Sequence, residues 1–167
     1  MKMRDVYVRN IIFGVADGLV STVGLLAGMG VSGTPRGTII LTGVIYAFVE
    51  ALSMAVGSFL SEESVDFRKH EKPWTLKPFI AGIVMFVSFA IASFIPLFPY
   101  TLAATSSALW ASIAVSLVTL FAVGLMVGLF SHHVSRSRLF RLALKMVLLG
   151  GGAILLGVFL GRFMGVQ

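Results

Sequence analysis

Residues 11–31 read IIFGVADGLVSTVGLLAGMGV, a run of small and apolar side chains broken by a single ionisable group, Asp17. A helix needs about 20 such residues to cross the hydrocarbon of a bilayer, so this stretch predicts a transmembrane helix. Four more runs of the same kind follow, over 37–60, 76–97, 102–130 and 142–164, with a short polar link at 61–75. The 167-residue chain has room for five such spans and not for ten. Hydrophobic residues make up 57% of it and charged residues 12%, about half the charge usual in soluble domains. The expected fold is therefore an all-α integral membrane protein, a single transmembrane domain over 1–167, and soluble enzyme folds are excluded. Pro35, Pro73 and Pro78 precede or open a span, and Pro96 and Pro99 are expected to close one.

Loop charges set the expected orientation. Lys2, Arg4 and Arg9, then Arg68, Lys69, Lys72 and Lys77, then Arg136, Arg138, Arg141 and Lys145 fall on one side, against only Arg36 and Arg162 on the other. Positive residues concentrate in the cytosol, which puts the N-terminus in the cytosol and the C-terminus on the opposite side. The net charge of +6 is explained by this topology, so no nucleic-acid partner is expected; the bilayer itself is the surrounding partner. The polar N-terminus runs into the first span without a small-residue cleavage site, so that span is expected to stay. With no cysteine, there is no disulfide framework, thiolate metal site or cysteine nucleophile. Neither an HExxH zinc motif nor a Gly-rich loop followed by a phosphate-binding Lys occurs, and no enzyme is expected.

Of seven acidic residues, only Asp17 and Glu50 lie inside spans. A charge at the bilayer centre costs at least about 2.5 to 3.5 kcal/mol, and no Lys or Arg is available at that depth to offset it. Protons and bound cations are what remain. Asp17 lies eight residues beyond Arg9, about 12 Å along a helix. Met54 lies eight residues before Glu62 on a helix of opposite direction, at similar depth, and Glu50 is one turn deeper on the same face. Asp17, Glu50 and Met54 are thus expected to line one metal pocket, with Ser21, one turn after Asp17, as a secondary ligand. Carboxylates bind any hard divalent cation, and a thioether adds preference for softer transition metals, Fe²⁺ or Mn²⁺.

Asp17-Gly18-Leu19-Val20-Ser21 leading to Gly24-Leu25-Leu26-Ala27-Gly28, together with Leu52-Ser53-Met54-Ala55-Val56-Gly57-Ser58-Phe59-Leu60, resembles the vacuolar iron transporter family of iron and manganese transporters. The resemblance implies proton-coupled removal of Fe²⁺ or Mn²⁺ from the cytosol by a homodimer. The path would run along the first helices at the subunit interface, with Asp17 and Met54 on the family's transport-path Asp and Met. Iron-storage members of the family carry a Glu two turns before that Met, where this chain has Tyr46. They also carry a long Glu-rich metal-binding insert between the second and third spans, where this chain has only residues 61–75.

If the second helix continues beyond the membrane, Glu62, Asp66 and His70 recur every four residues on one face, a possible cation entrance. His132 and His133, at the end of the fourth span, are expected to anchor at the interface. Divalent transition metal is thus the expected cargo, protons the coupling ion, and no resident cofactor is required. The expected location is a prokaryotic cell membrane. The glycine pairs Gly14/Gly18, Gly24/Gly28 and Gly124/Gly128, and the series Gly157/Gly161/Gly165, allow close helix approach. They support an alternative, a non-transporting assembly or scaffold subunit that binds partner helices through those faces.

Overall fold

The computed structural model describes residues 3–68, 76–129 and 136–165. They form five helices: α1 (Met3–Val31), α2 (Arg36–Arg68), α3 (Leu76–Leu102), α4 (Thr105–Leu129) and α5 (Arg136–Met164). All five are long and apolar enough to cross a membrane. Helices are what lipid demands of such sequences, because each backbone N–H and C=O must find its partner within the segment.

Several helix limits differ from the expected spans, α1 beginning at Met3 and α5 at Arg136, and two further differences shape the fold. α3 does not stop at 97; it runs through Pro96 and Pro99 to Leu102. Each proline lacks an N–H and deprives only the carbonyl four residues back. So late in the helix this affects Ala92 and Ile95, while Ala103 N–H still donates to the Pro99 carbonyl at 3.0 Å. The Ser112 hydroxyl of α4 donates to the Pro96 carbonyl at 2.7 Å, tying the next helix to the proline turn. α2, for its part, continues past 60 to Arg68, so half of the expected link is helix.

Between α1 and α2 the chain reverses in a few residues. Gly33 takes φ of +79°, a left-handed conformation that costs side chains other than Gly energy. That turn lets Thr34 N–H donate to the Met29 carbonyl at 3.3 Å and close the end of α1. Arg36, opening α2, donates from Nε to the Tyr100 carbonyl at 2.6 Å and from a terminal nitrogen to the Thr101 carbonyl at 2.5 Å. A guanidinium thus satisfies carbonyls left free at the end of α3.

α1 lies at the centre, packing on every other helix and most extensively on α3 and α5. α2 lies mainly on α3, and α4 on α5. Leu19, Val23 and Leu26 of α1 and Phe89, Leu97 and Tyr100 of α3 are fully or almost fully buried. Leu41, Ile45, Val49 and Leu52 of α2, and Leu148, Leu149, Leu155 and Phe159 of α5, face outward. Such an apolar exterior suits a lipid environment.

Small residues set the spacing. A Cβ at Gly18 would lie 2.7 Å from the Phe89 carbonyl oxygen of α3, and one at Gly28 would lie 2.7 Å from the Gly157 carbonyl oxygen of α5. Gly124 meets the backbone of Ala143 in the same way. These glycine faces are occupied within the bundle, which removes them as the surfaces that the scaffold alternative requires.

Candidate metal site

Gly18 fixes the depth and direction of its neighbour Asp17. Because α1 lies directly on the backbone of α3 at Gly18, the adjoining face of α1 turns toward α2. There Asp17 of α1 and Glu50 of α2 lie close enough for their charges to repel. Both are half-buried. Among the described residues every ion pair involves Glu62 or Asp66, so neither Asp17 nor Glu50 has a basic partner.

Ser21 belongs to the same cluster. Its hydroxyl donates to the Asp17 backbone carbonyl at 2.5 Å, a common arrangement four residues along a helix. Its oxygen stays free to accept. The Tyr46 hydroxyl lies on the α2 side near Ser21, close enough to Asp17 and Glu50 to feel the charge of both. Tyr46 is the member of this cluster that residue chemistry alone passes over. The available signal was its position one turn before Glu50 on the same helical face.

Met54 stands one turn from Glu50 toward the end of the bundle that carries the N-terminus of α1. It packs with Tyr46 and Phe86 against Ala51, Phe89 and Ala90. It also lines a cleft of about 560 Å³ between α1, α2 and α3, next to Arg9 and Asn10. The structure therefore sets Asp17 and Ser21 of α1 near Glu50 and Tyr46 of α2, with Met54 one turn along α2 on the cleft side.

Glu62 and Asp66 do share a face of α2, and both are buried. What they meet is basic: Arg9 of α1 pairs with Glu62, and Lys77 of α3 reaches Asp66 at 2.8 Å and Glu62 at 3.6 Å. Three helices are tied together there. His70 lies outside the described residues, as do His132 and His133. Among the described residues no three of His, Cys, Asp and Glu gather in one place, so a metal held here would use donors beyond those types.

Five apolar helices, two of which carry an acidic couple with no basic partner among the described residues, define an integral membrane protein, the class to which ion transporters belong. A sequence model of the VIT family matches residues 8–73 and 62–162, nearly the whole chain. The chain belongs to that family, the vacuolar iron transporters. It is a transporter family, and membership points to metal-ion transport. No curated protein matches the chain.

Proposed function

We propose that this protein moves a divalent transition metal, Fe²⁺ or Mn²⁺, out of the cytosol in exchange for protons. The observation that carries the proposal is the Asp17–Glu50 couple, two acids on facing helices with no basic partner among the described residues. Two like charges at this depth favour whichever mobile cation offsets them. A divalent ion neutralises both at once, and so do two protons. Metal and protons then compete for the same oxygens, the requirement for exchange. Tyr46 and Ser21 contribute neutral oxygens alongside, and Met54 contributes a thioether on the side from which the ion arrives.

The basic end of the bundle is taken as cytosolic on the strength of its Lys and Arg excess. A homodimer is supported by the face of α1 that Asp17, Ser21, Leu25 and Met29 share at helical spacing. All four remain partly exposed, and a second copy packed there would close the ion path.

Reconstituted into liposomes under a pH gradient, the protein is expected to drive Fe²⁺ or Mn²⁺ flux that Asp17→Asn abolishes. Flux equal to the parent in that variant would remove Asp17 from the path and overturn the proposal.

A further inference from the structure

The cleft between α1, α2 and α3 surrounds Met54 with donors that the exchange at Asp17 and Glu50 does not use: Met85, Asn10 and Ser58. Met54 and Met85 both line it, on α2 and α3. A Cβ at Gly14 would lie 3.2 Å from the Met85 sulfur, and Gly14 is one turn before Asp17. Met54 is one turn from Glu50 in the same direction across the membrane. Each thioether thus lies about one turn to the cleft side of its acid.

Two oxygens complete the set. Asn10 is 4% exposed, and its amide nitrogen donates to the Ala81 carbonyl at 3.3 Å. With the nitrogen end so engaged, Oδ1 is the acceptor end of that amide. The Ser58 hydroxyl is buried and has no partner among the described residues, and both residues line the cleft. An unpartnered buried hydroxyl is costly unless something visits it. Arg9 is the only charge on the wall, and Glu62 holds its guanidinium.

We propose that this cleft is a second, neutral cation site in which Met54 and Met85, with Asn10 Oδ1 and Ser58 Oγ, hold a soft or borderline transition-metal ion on its way to Asp17 and Glu50. The inference rests on the transport proposal for the onward step and on the donor chemistry for the site itself. Carboxylates do not distinguish Fe²⁺ or Mn²⁺ sharply from Mg²⁺, whereas thioethers are poor ligands for Mg²⁺ and Ca²⁺. Placed first, the thioethers screen ions before the indiscriminate acids see them. Having no net charge, the site holds an ion weakly enough to let it pass on.

Cadmium, with X-ray absorption at its K edge, is the probe for detergent-purified protein carrying Asp17→Asn and Glu50→Gln. The expected spectrum contains a sulfur shell that falls when Met85→Leu is added and vanishes when Met54→Leu joins it. A shell of oxygen and nitrogen alone, or a sulfur shell indifferent to Met85, would overturn the site. Should the Met85 variant fail to fold, selenomethionine protein supplies the same test at the selenium edge, where added Cd²⁺ must appear as a neighbour and its absence refutes the proposal. A sulfur shell in a protein that moves no metal refutes transport and leaves the site standing; flux without the shell does the reverse.

Discussion

Replacing Gly157 with Ala would add one methyl where there is no room. Its Cβ would lie 2.0 Å from the Gly24 carbonyl oxygen and 2.8 Å from the carbonyl carbon. Ordinary contact begins near 3.4 Å, so α5 would have to withdraw from α1 by more than an ångström. The obstacle is backbone and has no rotamer to change. A gap of 0.5 to 1 Å forfeits roughly a quarter to a half of the dispersion energy at a contact, and here it would spread along a seam that includes Gly28 and Gly161. Overpacking costs about 1 to 3 kcal/mol, and the rigid neighbour places this variant near the upper end. About 3 kcal/mol is more than a hundredfold in the folding equilibrium. Gly151→Ala is the internal control: on the same helix, its Cβ would meet nothing within 4 Å, so its effect should stay within about 0.5 kcal/mol. Unfolding in mixed micelles, followed by circular dichroism, compares the two directly. Equal stability for Gly157→Ala and Gly151→Ala would refute the close packing of α1 on α5 and return the glycine face to an outside partner.

Three other perturbations have defined outcomes in the same assay. Lys77→Met removes the 2.8 Å charge-assisted bond to Asp66 and the longer contact to Glu62; a loss of about 1.5 to 3 kcal/mol is expected, and Lys77→Arg should recover part of it. Arg36→Ala frees the Tyr100 and Thr101 carbonyls and should cost about 1 to 2 kcal/mol, whereas Arg36→Lys should recover only part of it because one ammonium cannot reproduce the fork. Gly33→Ala has open space around it, so its expected loss of roughly 1 kcal/mol comes from the +79° φ alone, and Gly33→Asn should lose less.

Helix number was legible because hydrocarbon thickness imposes a length and lipid forbids exposed backbone; both constraints act on local sequence. The end of α3 was less so. Pro96 and Pro99 look like terminators in isolation, and only the neighbouring Ser112 and the last turn at Ala103 show how their surroundings accommodate a helix through them. Asp17 and Glu50 stood out through the cost of burying charge, which depends on residue type and depth. Tyr46 and Met85 did not, because aromatic rings and methionines commonly fill space. What distinguishes them is a neighbour on another helix, Ser21 for one and the Gly14 face of α1 for the other. The glycine spacing announced close approach without naming the partner, since inward and outward faces have the same i, i+4 signature.

The bundle carries its own comparison for the central claim. Two acidic pairs lie on or against α2, a little over three turns apart at their nearest members, and the chain treats them differently. Glu62 and Asp66 are the more deeply buried, and Arg9 and Lys77 converge on them from two other helices. Desolvated charges of opposite sign offset one another there, at fixed stoichiometry, and hold α1, α2 and α3 in register. Asp17 and Glu50 lie farther along α1 and α2, and among the described residues no fixed cation is supplied to them. If burying acids were merely tolerated in this fold, the same device would serve both pairs. Its use at one and omission at the other is what a path for mobile cations requires: a braced mouth, and beyond it a couple of carboxylates whose neutralisation must come from ions that can leave again. Supplying the missing counter-charge should therefore act as a plug. Ser21→Lys, reaching toward Asp17 from one turn away, is expected to bind its ammonium there, to leave the fold as stable as the parent or more so, and to stop metal flux. A stable Ser21→Lys protein that still transported at the parent's rate would show that the charge of the couple is not what the metal answers to.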